Sequence, residues 1–342
     1  MELKERIDAF ARLGDVMRLA VDGQPSPLSD GLIRIIEETH RTNQWFTPSN
    51  VKLALEAFAG ELSYSQLNHW VSMYPDLGIP KTPKKVAVVM AGNIPMVGFH
   101  DMLSILISGN IAIAKTSSKD DLIIREIASV LVEIEPEFRY LITFTDESLK
   151  DFDAVIATGS DNSSRYFEYY FSKFHSLIRK NRTGIAFLSG NETLKQLENL
   201  GSDVFSYFGL GCRNVTKLYL PEGFTFDKLQ VAWSGFANIV DNTKYRNNYE
   251  HNKAVSLVNR EPFHDLGFVL LKENQSLFSP VGVINYELIT HASFSDVVNQ
   301  QADKIQVIVS KEKYTNFGEA QKPRLWDYSD GIDTIDFLLK IN

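Results

Sequence analysis

Apolar and polar positions along this chain fall into three regimes. Up to about residue 80 the period is helical: Leu3, Ile7, Phe10, Met17 and Val21 recur at the spacing of one helix face. Thr47-Pro48-Ser49-Asn50 then offers a cap before a second periodic run, so residues 1–80 predict an all-α preface. From Tyr74 to Lys85, prolines at 75, 80 and 83 break the period and predict a connector.

From Val86 the apolar runs shorten. VAVVMAG, IAIAK at 111–115, YLITF at 140–144 and AVIATG at 154–159 alternate with helical patterns. Runs that are apolar throughout predict strands covered on both faces, in parallel βαβ units of the doubly wound, nucleotide-binding type. GIAFLSG at 184–190 reads as the strand that closes this first sheet. Beyond residue 200, VTKLYLP at 215–221, FVLLK at 268–272, VGVINY at 281–286 and IQVIVS at 305–310 predict a second α/β unit. The expected fold class is α/β, with two lobes, each holding an open and largely parallel sheet, behind an N-terminal helical region. The boundaries are 1–80 for the helical region packing on the first lobe, 81–190 for a Rossmann-like lobe, 191–320 for the second lobe, and 321–342 for a C-terminal segment. That last segment, ending DTIDFLLKIN, is expected to return to the first lobe as an edge strand or a helix.

Composition narrows the function classes. A chain of 342 residues, 44% hydrophobic, suits two cores rather than one. Its 35 basic and 43 acidic residues are mixed along the chain and leave a net charge of -8, so no nucleic-acid partner is expected. One cysteine forms no disulfide within the chain and builds no Cys-rich metal framework, which suits a reducing compartment and a cytoplasmic location. MELKERIDAFARLGDVMRLA lacks the apolar core of a signal peptide. No apolar run approaches the ~20 residues of a membrane helix, so neither export nor membrane insertion is expected.

Three segments carry candidate chemistry. Cys212 lies in FGLGCRNVTKLYLP directly after the glycines at 209 and 211, just before a predicted strand. Glycines beside a thiol remove bulk and leave amide N–H groups accessible, as an acyl-transfer nucleophile requires, and Arg213 is a neighbouring cation. A lone cysteine is otherwise a small buried apolar residue. In AGNIPMVGFHDMLSILISGNIAIAKTSSKDD, residues 91–121, an Asn-Ile-Pro turn precedes a helix that points Met102, Ile105 and Leu106 inward. Lys115 ends the next strand, where open α/β sheets bind ligands, although a lysine there is also an ordinary solvated residue. In ATGSDNSSRYF, residues 157–167, Thr158-Gly159-Ser160 ends a strand as a helix starts. That geometry suits a dinucleotide pyrophosphate, and equally an ordinary capped helix.

Taken in order, Asn-Ile-Pro, Gly-Asn with a strand ending in Lys, Thr-Gly-Ser and a glycine-flanked Cys resemble the aldehyde dehydrogenase superfamily. SLFSPVGVI at 276–284 is similar to its Glu-x-Phe-Gly-Pro-Val segment. Within the superfamily the chain resembles the LuxC-type acyl-CoA reductases, through its short length, its helical preface, NIPMVGFHDML and FGLGCRNVTKLYLP. The resemblance implies an aldehyde-dehydrogenase-like fold, a nicotinamide cofactor and a covalent acyl group on Cys212. It implies that Asn93 helps the cysteine's backbone N–H hold the oxyanion, that Lys115 binds the adenosine ribose or its phosphate, and that Gly159 and Ser160 approach the pyrophosphate. Ser118 stands where NAD-preferring relatives often carry a Glu that binds the ribose, which implies NADPH. It also implies an acyl-CoA or acyl-protein donor, an acyl-protein synthetase partner and homo-oligomers.

Two departures inform the reaction. Where hydrolytic relatives carry the Glu that activates water, this chain has Asn181-Arg182-Thr183-Gly184, so a thioester survives long enough for reduction. Ser276 replaces the Glu of the Phe-Gly-Pro-Val segment, which alters the hold on the nicotinamide ribose. The expected activity is NADPH-dependent reduction of an acyl-CoA, with a long acyl chain, to the aldehyde. The alternatives are an acyl-phosphate reductase, a CoA-independent aldehyde dehydrogenase, or a noncatalytic nucleotide-binding scaffold of this fold. His100, His175 and His264 are candidates for the proton donor.

Overall fold

A computed structural model describes residues 1–159 and 161–341. The chain divides into two compact units, residues 1–181 with 324–342 and residues 182–323.

The first unit opens with four helices, α1 (Leu3–Val21), α2 (Asp30–Thr42), α3 (Pro48–Glu61) and α4 (Tyr64–Ser72). The predicted cap forms: Thr47 accepts from the Asn50 amide with Pro48 at the first helical position. The stripe Ile7, Phe10, Leu13 and Met17 is buried, and α1 packs on α3 and on the helix Asp121–Ile134 of the sheet layer. Gly14 lets α1 approach closely, because a Cβ there would lie 2.8 Å from Leu62 Cβ.

After the connector come β1 (Lys85–Val89), α5 (Phe99–Ile107), β2 (Ile111–Lys115), α6 (Asp121–Ile134), β3 (Ile142–Phe144), β4 (Ala154–Thr158), α7 (Asp161–Phe171) and β5 (His175–Arg179). The five strands form a parallel sheet ordered β3-β2-β1-β4-β5. Val86, Ala87, Val88, Ala112, Ala114 and Ala154–Ala157 are fully buried, as strands covered on both faces must be. The order reverses between β1 and β4, and the crevice at the carboxyl ends of such strands is where open α/β sheets bind ligands.

The C-terminal segment belongs to this unit and includes α12 (Thr334–Leu339). One buried arginine ties it down. Arg179 donates from Nε and Nη2 to the two carboxyl oxygens of Asp101 on α5, at 3.1 and 2.6 Å, and also to the Ser329 carbonyl and the Thr334 hydroxyl.

The second unit holds β6 (Thr183–Phe187), α8 (Leu194–Phe205), β7 (Val215–Leu220), α9 (Asp227–Trp233), α10 (Thr243–Asn259), β8 (His264–Asp265), β9 (Leu270–Glu273), β10 (Val283–Leu288), α11 (His291–Gln300) and β11 (Ile305–Val309). Its sheet is ordered β11-β6-β7-β10-β9-β8, parallel except for the β8–β9 pair. Its core includes Leu188, Leu197, Val204, Leu218, Trp233, Phe268 and Leu271.

One strand assignment is corrected. GIAFL does not close the first sheet; as β6 it pairs with β7 and β11 in the second. Only Lys180–Arg182 separate β5 from β6, whereas a parallel neighbour in the same sheet needs a crossover of roughly a dozen residues. The break therefore falls at residue 181 rather than near 190, and β5, not read from the sequence as a strand, closes the first sheet. Among the described residues no helix is long and apolar enough to cross a membrane.

Candidate active site

In the first unit the turns after β1 and β2 lie against each other. Gly92, in the β1 turn, has no room for a side chain, since a Cβ would meet Ser117 Oγ at 2.4 Å and Lys119 Cβ at 3.1 Å. Asn93 follows it and is exposed. The chain then passes through Met96, whose φ of 61° is left-handed, before α5 starts. Asn93 is thus presented from a short, closely packed turn at the carboxyl end of a central strand.

Lys115 and Ser118 share a cavity of about 400 Å³, lined also by Thr39 and Thr42 of α2 and by Thr116, Lys119, Asp120, Asp121 and Asp146. The volume is in the range of small-molecule sites. Lys115 Nζ donates to the backbone carbonyls of Glu147 and Asp146, at 2.9 and 3.4 Å, so no carboxylate neutralises its charge through those bonds. The acids of the cavity are engaged: Asp121 accepts from Arg125 at 2.6 Å and from Thr116, and Asp146 lies 3.5 Å from the same Arg125. Burial holds the Asp120 carboxyl well above the usual carboxylate range, toward its neutral form. Two lysines and three aspartates thus face the cavity, two of the acids being paired with the one Arg125.

Gly159 follows β4, where a Cβ would meet Ser163 Cβ and Phe167 Cε2, each at 2.8 Å. Glycine there lets α7 approach the strand, as in dinucleotide-binding turns. Ser160 lies outside the described residues. The cavity joins Lys115 with Ser118, and its lining includes neither Asn93 nor Gly159.

Cys212 belongs to the second unit and is partly exposed. Its loop is built from unfavourable backbone. After α8, Tyr207 (φ 53°), Phe208 (φ 59°) and Gly209 (φ 76°) are left-handed in succession, a conformation costing about 1–2 kcal/mol for each non-glycine residue. Such strain persists where surrounding structure enforces it, and it concentrates at functional sites.

Asn214 is the enforcer. Fully buried, it accepts from the Gly211 amide on Oδ1 at 2.8 Å. Its Nδ2 donates to the carbonyls of Asp203, Val204 and Ser206 at 3.1, 3.2 and 2.8 Å, capping the end of α8. Its own amide donates to Gly211 O at 3.0 Å. One side chain therefore fixes both ends of the segment that presents Cys212.

Arg213 is directed by a local contact, its Nε donating to Ala320 O at 2.6 Å. Asp203, fully buried, accepts from the amides of Gly318 and Ala320, while burial pushes its carboxyl up to about 7. Motif reading missed both Asn214 and Asp203. The signal for Asn214 was its place directly before β7, where a short amide side chain can bond the backbone of the preceding loop.

The sequence departures have structural settings. Arg182, beside the missing base, donates to the carbonyls of Ala302 and Ile305. Ser276 Oγ donates to Phe278 O within its own turn. The three histidines all sit in packing roles. His100 is wedged against Trp70 and Tyr328 with Nε2 donating to Leu325 O, and burial lowers its pKa. His175 stacks on Phe337, and His264 lies against Phe226.

A family model described as acyl-CoA reductase (LuxC) matches residues 37–220, more than half of the chain. The match runs through Asn93, Lys115, Ser118, Gly159 and Cys212. No curated protein matches. Among solved structures, the NAD+ complex of an aldehyde dehydrogenase from Bacillus cereus is 12% identical, with 91% of this chain and 72% of that one covered and a TM-score of 0.59. A mutant aldehyde dehydrogenase C from Pseudomonas syringae, in complex with NAD+ and octanal, is 9% identical, with 92% and 73% covered and a TM-score of 0.61. Proline utilization A with proline bound in remote sites is 13% identical at a TM-score of 0.64; 91% of this chain is covered, but it spans only 36% of that protein. At these identities the likeness establishes the fold, which is that of the aldehyde dehydrogenases. The chain belongs to the LuxC family of acyl-CoA reductases.

Proposed function

We propose that this protein reduces an acyl-CoA to the aldehyde through a thioester on Cys212, with NADPH as the reductant. The observation that carries the reading is the Cys212 loop. A partly exposed thiol follows three left-handed residues, and a buried asparagine spends its whole hydrogen-bonding capacity on holding that loop. A cysteine kept only for packing needs no such support.

The Cys212 sulfur, as thiolate, attacks the acyl carbonyl. The C–S bond to coenzyme A breaks, CoA leaves with the electron pair, and the acyl group stays on the enzyme. The Cys212 backbone N–H is the donor to the oxyanion that the loop itself supplies, typically worth ~3 to 4 kcal/mol. Bound NADPH supplies a hydride. Collapse of the resulting thiohemiacetal returns the electron pair to Cys212 sulfur and releases the aldehyde.

Lys115, Ser118 and Lys119 are the residues that would hold the adenosine ribose and its 2′-phosphate. Lys115 and Lys119, with the Ser118 hydroxyl in place of a carboxylate between them, favour NADPH over NADH. The turn at Gly159 and Ser160 would approach the pyrophosphate. With no carboxylate in Asn181-Arg182-Thr183-Gly184, water is left without a base and the thioester persists. Steady-state NADPH oxidation tests the reading against its neighbours. Turnover with acyl-CoA supports it; turnover with acyl phosphate alone, or aldehyde oxidation to acid without CoA, overturns the donor assignment.

A further inference from the structure

The helix α2 does more than cover the sheet layer. It lies along α6, so close that a Cβ on Gly31 would meet Glu126 Oε1 at 1.6 Å, and its last turn puts Thr39 and Thr42 into the wall of the Lys115 cavity. The residue after it, Asn43, is 5% exposed. Its backbone closes the helix, the amide donating to Thr39 O at 3.0 Å and the carbonyl accepting from Phe46 N at 2.8 Å. Its side chain works in two directions. Oδ1 accepts from the Trp45 amide at 3.2 Å, while Nδ2 donates to the carbonyl of Lys119, 76 positions later in the chain, at 3.3 Å.

That second bond lands on the turn Ser117–Asp120, which is closed by Asp120 N donating to Ser117 O at 2.9 Å and Lys119 N donating to Ser117 Oγ at 3.3 Å. Its middle residues, Ser118 and Lys119, are exposed and line the cavity. Among the described residues no carboxylate pairs with the Lys119 ammonium. A turn with exposed middle residues can take water for its carbonyls, so a bond from a buried side chain adds little stability and chiefly fixes where the turn points. We propose that Asn43 is a positioning residue for nucleotide choice, which holds the Lys119 carbonyl and so aims the Lys119 ammonium at the 2′-phosphate of NADPH. The inference rests on the function proposed above and supplies a specificity element for it. It makes the end of α2 part of the nucleotide site, and it involves residues of the first unit alone.

The test is equilibrium binding of NADPH, NADH and adenosine 2′,5′-bisphosphate to the full chain with no acyl donor present. Nicotinamide fluorescence follows the reduced cofactors, and competition with NADPH follows the bisphosphate. Asn43→Ala should weaken NADPH and the bisphosphate roughly 5- to 30-fold, as much of a charge-assisted contact is lost, and weaken NADH less than about twofold. Asn43→Asp keeps the acceptor for Trp45 but not the donor to Lys119, and should lose at least as much. Combined with Lys119→Ala, Asn43→Ala should add little, because both act through one ammonium. Thr47→Ala removes the cap of α3 beside the same corner; it should lower the thermal midpoint and leave the ratio of NADPH to NADH affinity unchanged. A wild-type ratio in both Asn43 variants, equal weakening of the two cofactors, a loss that adds in full to that of Lys119→Ala, or the same change of ratio in Thr47→Ala overturns the inference alone. A wild-type protein that binds NADH as tightly as NADPH overturns the NADPH reading, and the inference with it.

Discussion

Replacing Asn214 by alanine removes the one side chain that both caps α8 and holds the Cys212 loop. The buried Gly211 amide and the carbonyls of Asp203, Val204 and Ser206 all lose the Asn214 bond. At about 0.5–1.5 kcal/mol net for each hydrogen bond, the four contacts are together worth roughly 2–6 kcal/mol. The left-handed backbone at Tyr207 and Phe208 costs roughly 2–4 kcal/mol. The two magnitudes are comparable, so the loop is held by a narrow margin and should relax once Asn214 is gone. Asn214→Ala is therefore expected to lose roughly 1–3 kcal/mol of stability to denaturant, because relief of the left-handed strain offsets part of the lost bonding, and at least tenfold in the rate of Cys212 acylation among folded molecules. Asn214→Asp should be no better, because it keeps the acceptor for Gly211 but points a carboxylate at three carbonyls. Denaturant unfolding and acylation followed by intact mass measure the two effects. An Asn214→Ala protein as stable as wild type and acylated at the same rate would refute the account of the loop.

Three further outcomes are expected. Arg179→Met leaves the buried Asp101 carboxylate without its cation and should cost about 3–5 kcal/mol in denaturant unfolding, with much of it recovered when Asp101→Leu is added. Lys115→Ala should raise the KM for NADPH roughly 10- to 150-fold, the loss of a charge-assisted contact of about 1.5–3 kcal/mol, and leave the KM for NADH little changed. Burial raises the Asp203 pKa in the folded state to about 7, from an ordinary 3.8. The folded state therefore binds the extra proton between those values, and this group's contribution to stability is present at low pH and lost as pH rises toward 7. Unfolding free energies should show wild type losing ground to Asp203→Asn as pH rises from 5 to 8, by at most about 3 kcal/mol, since only the two pH units below the folded pKa contribute.

The sheets were legible wherever strands are covered on both faces. β4 and the centre of β1 are apolar because they are buried on both faces, while β2 and β11 alternate buried with half-buried positions and still keep enough apolar residues to read as strands. β5 was not legible: as an edge strand it begins with the exposed His175 and ends in Arg179, whose burial depends on Asp101 from a distant helix. The run of β6 was plain, but its sheet was decided by the short link before it rather than by its own residues. At the site, motifs pointed to Asn93, Lys115 and Cys212 because those side chains stand at strand ends beside glycines and turns. Asn214 escaped because it acts on backbone groups of the preceding loop that only the fold brings near. The left-handed Tyr207 and Phe208 escaped because nothing in two aromatic residues announces a conformation they ordinarily avoid.

The central claim is the acyl-enzyme on Cys212. Mixing the protein with an acyl-CoA in the absence of NADPH and recording its intact mass tests that claim most directly. The account predicts one acyl adduct per chain, absent from Cys212→Ala, and discharged as aldehyde when NADPH is added. No adduct, or an adduct that persists in Cys212→Ala, would contradict it.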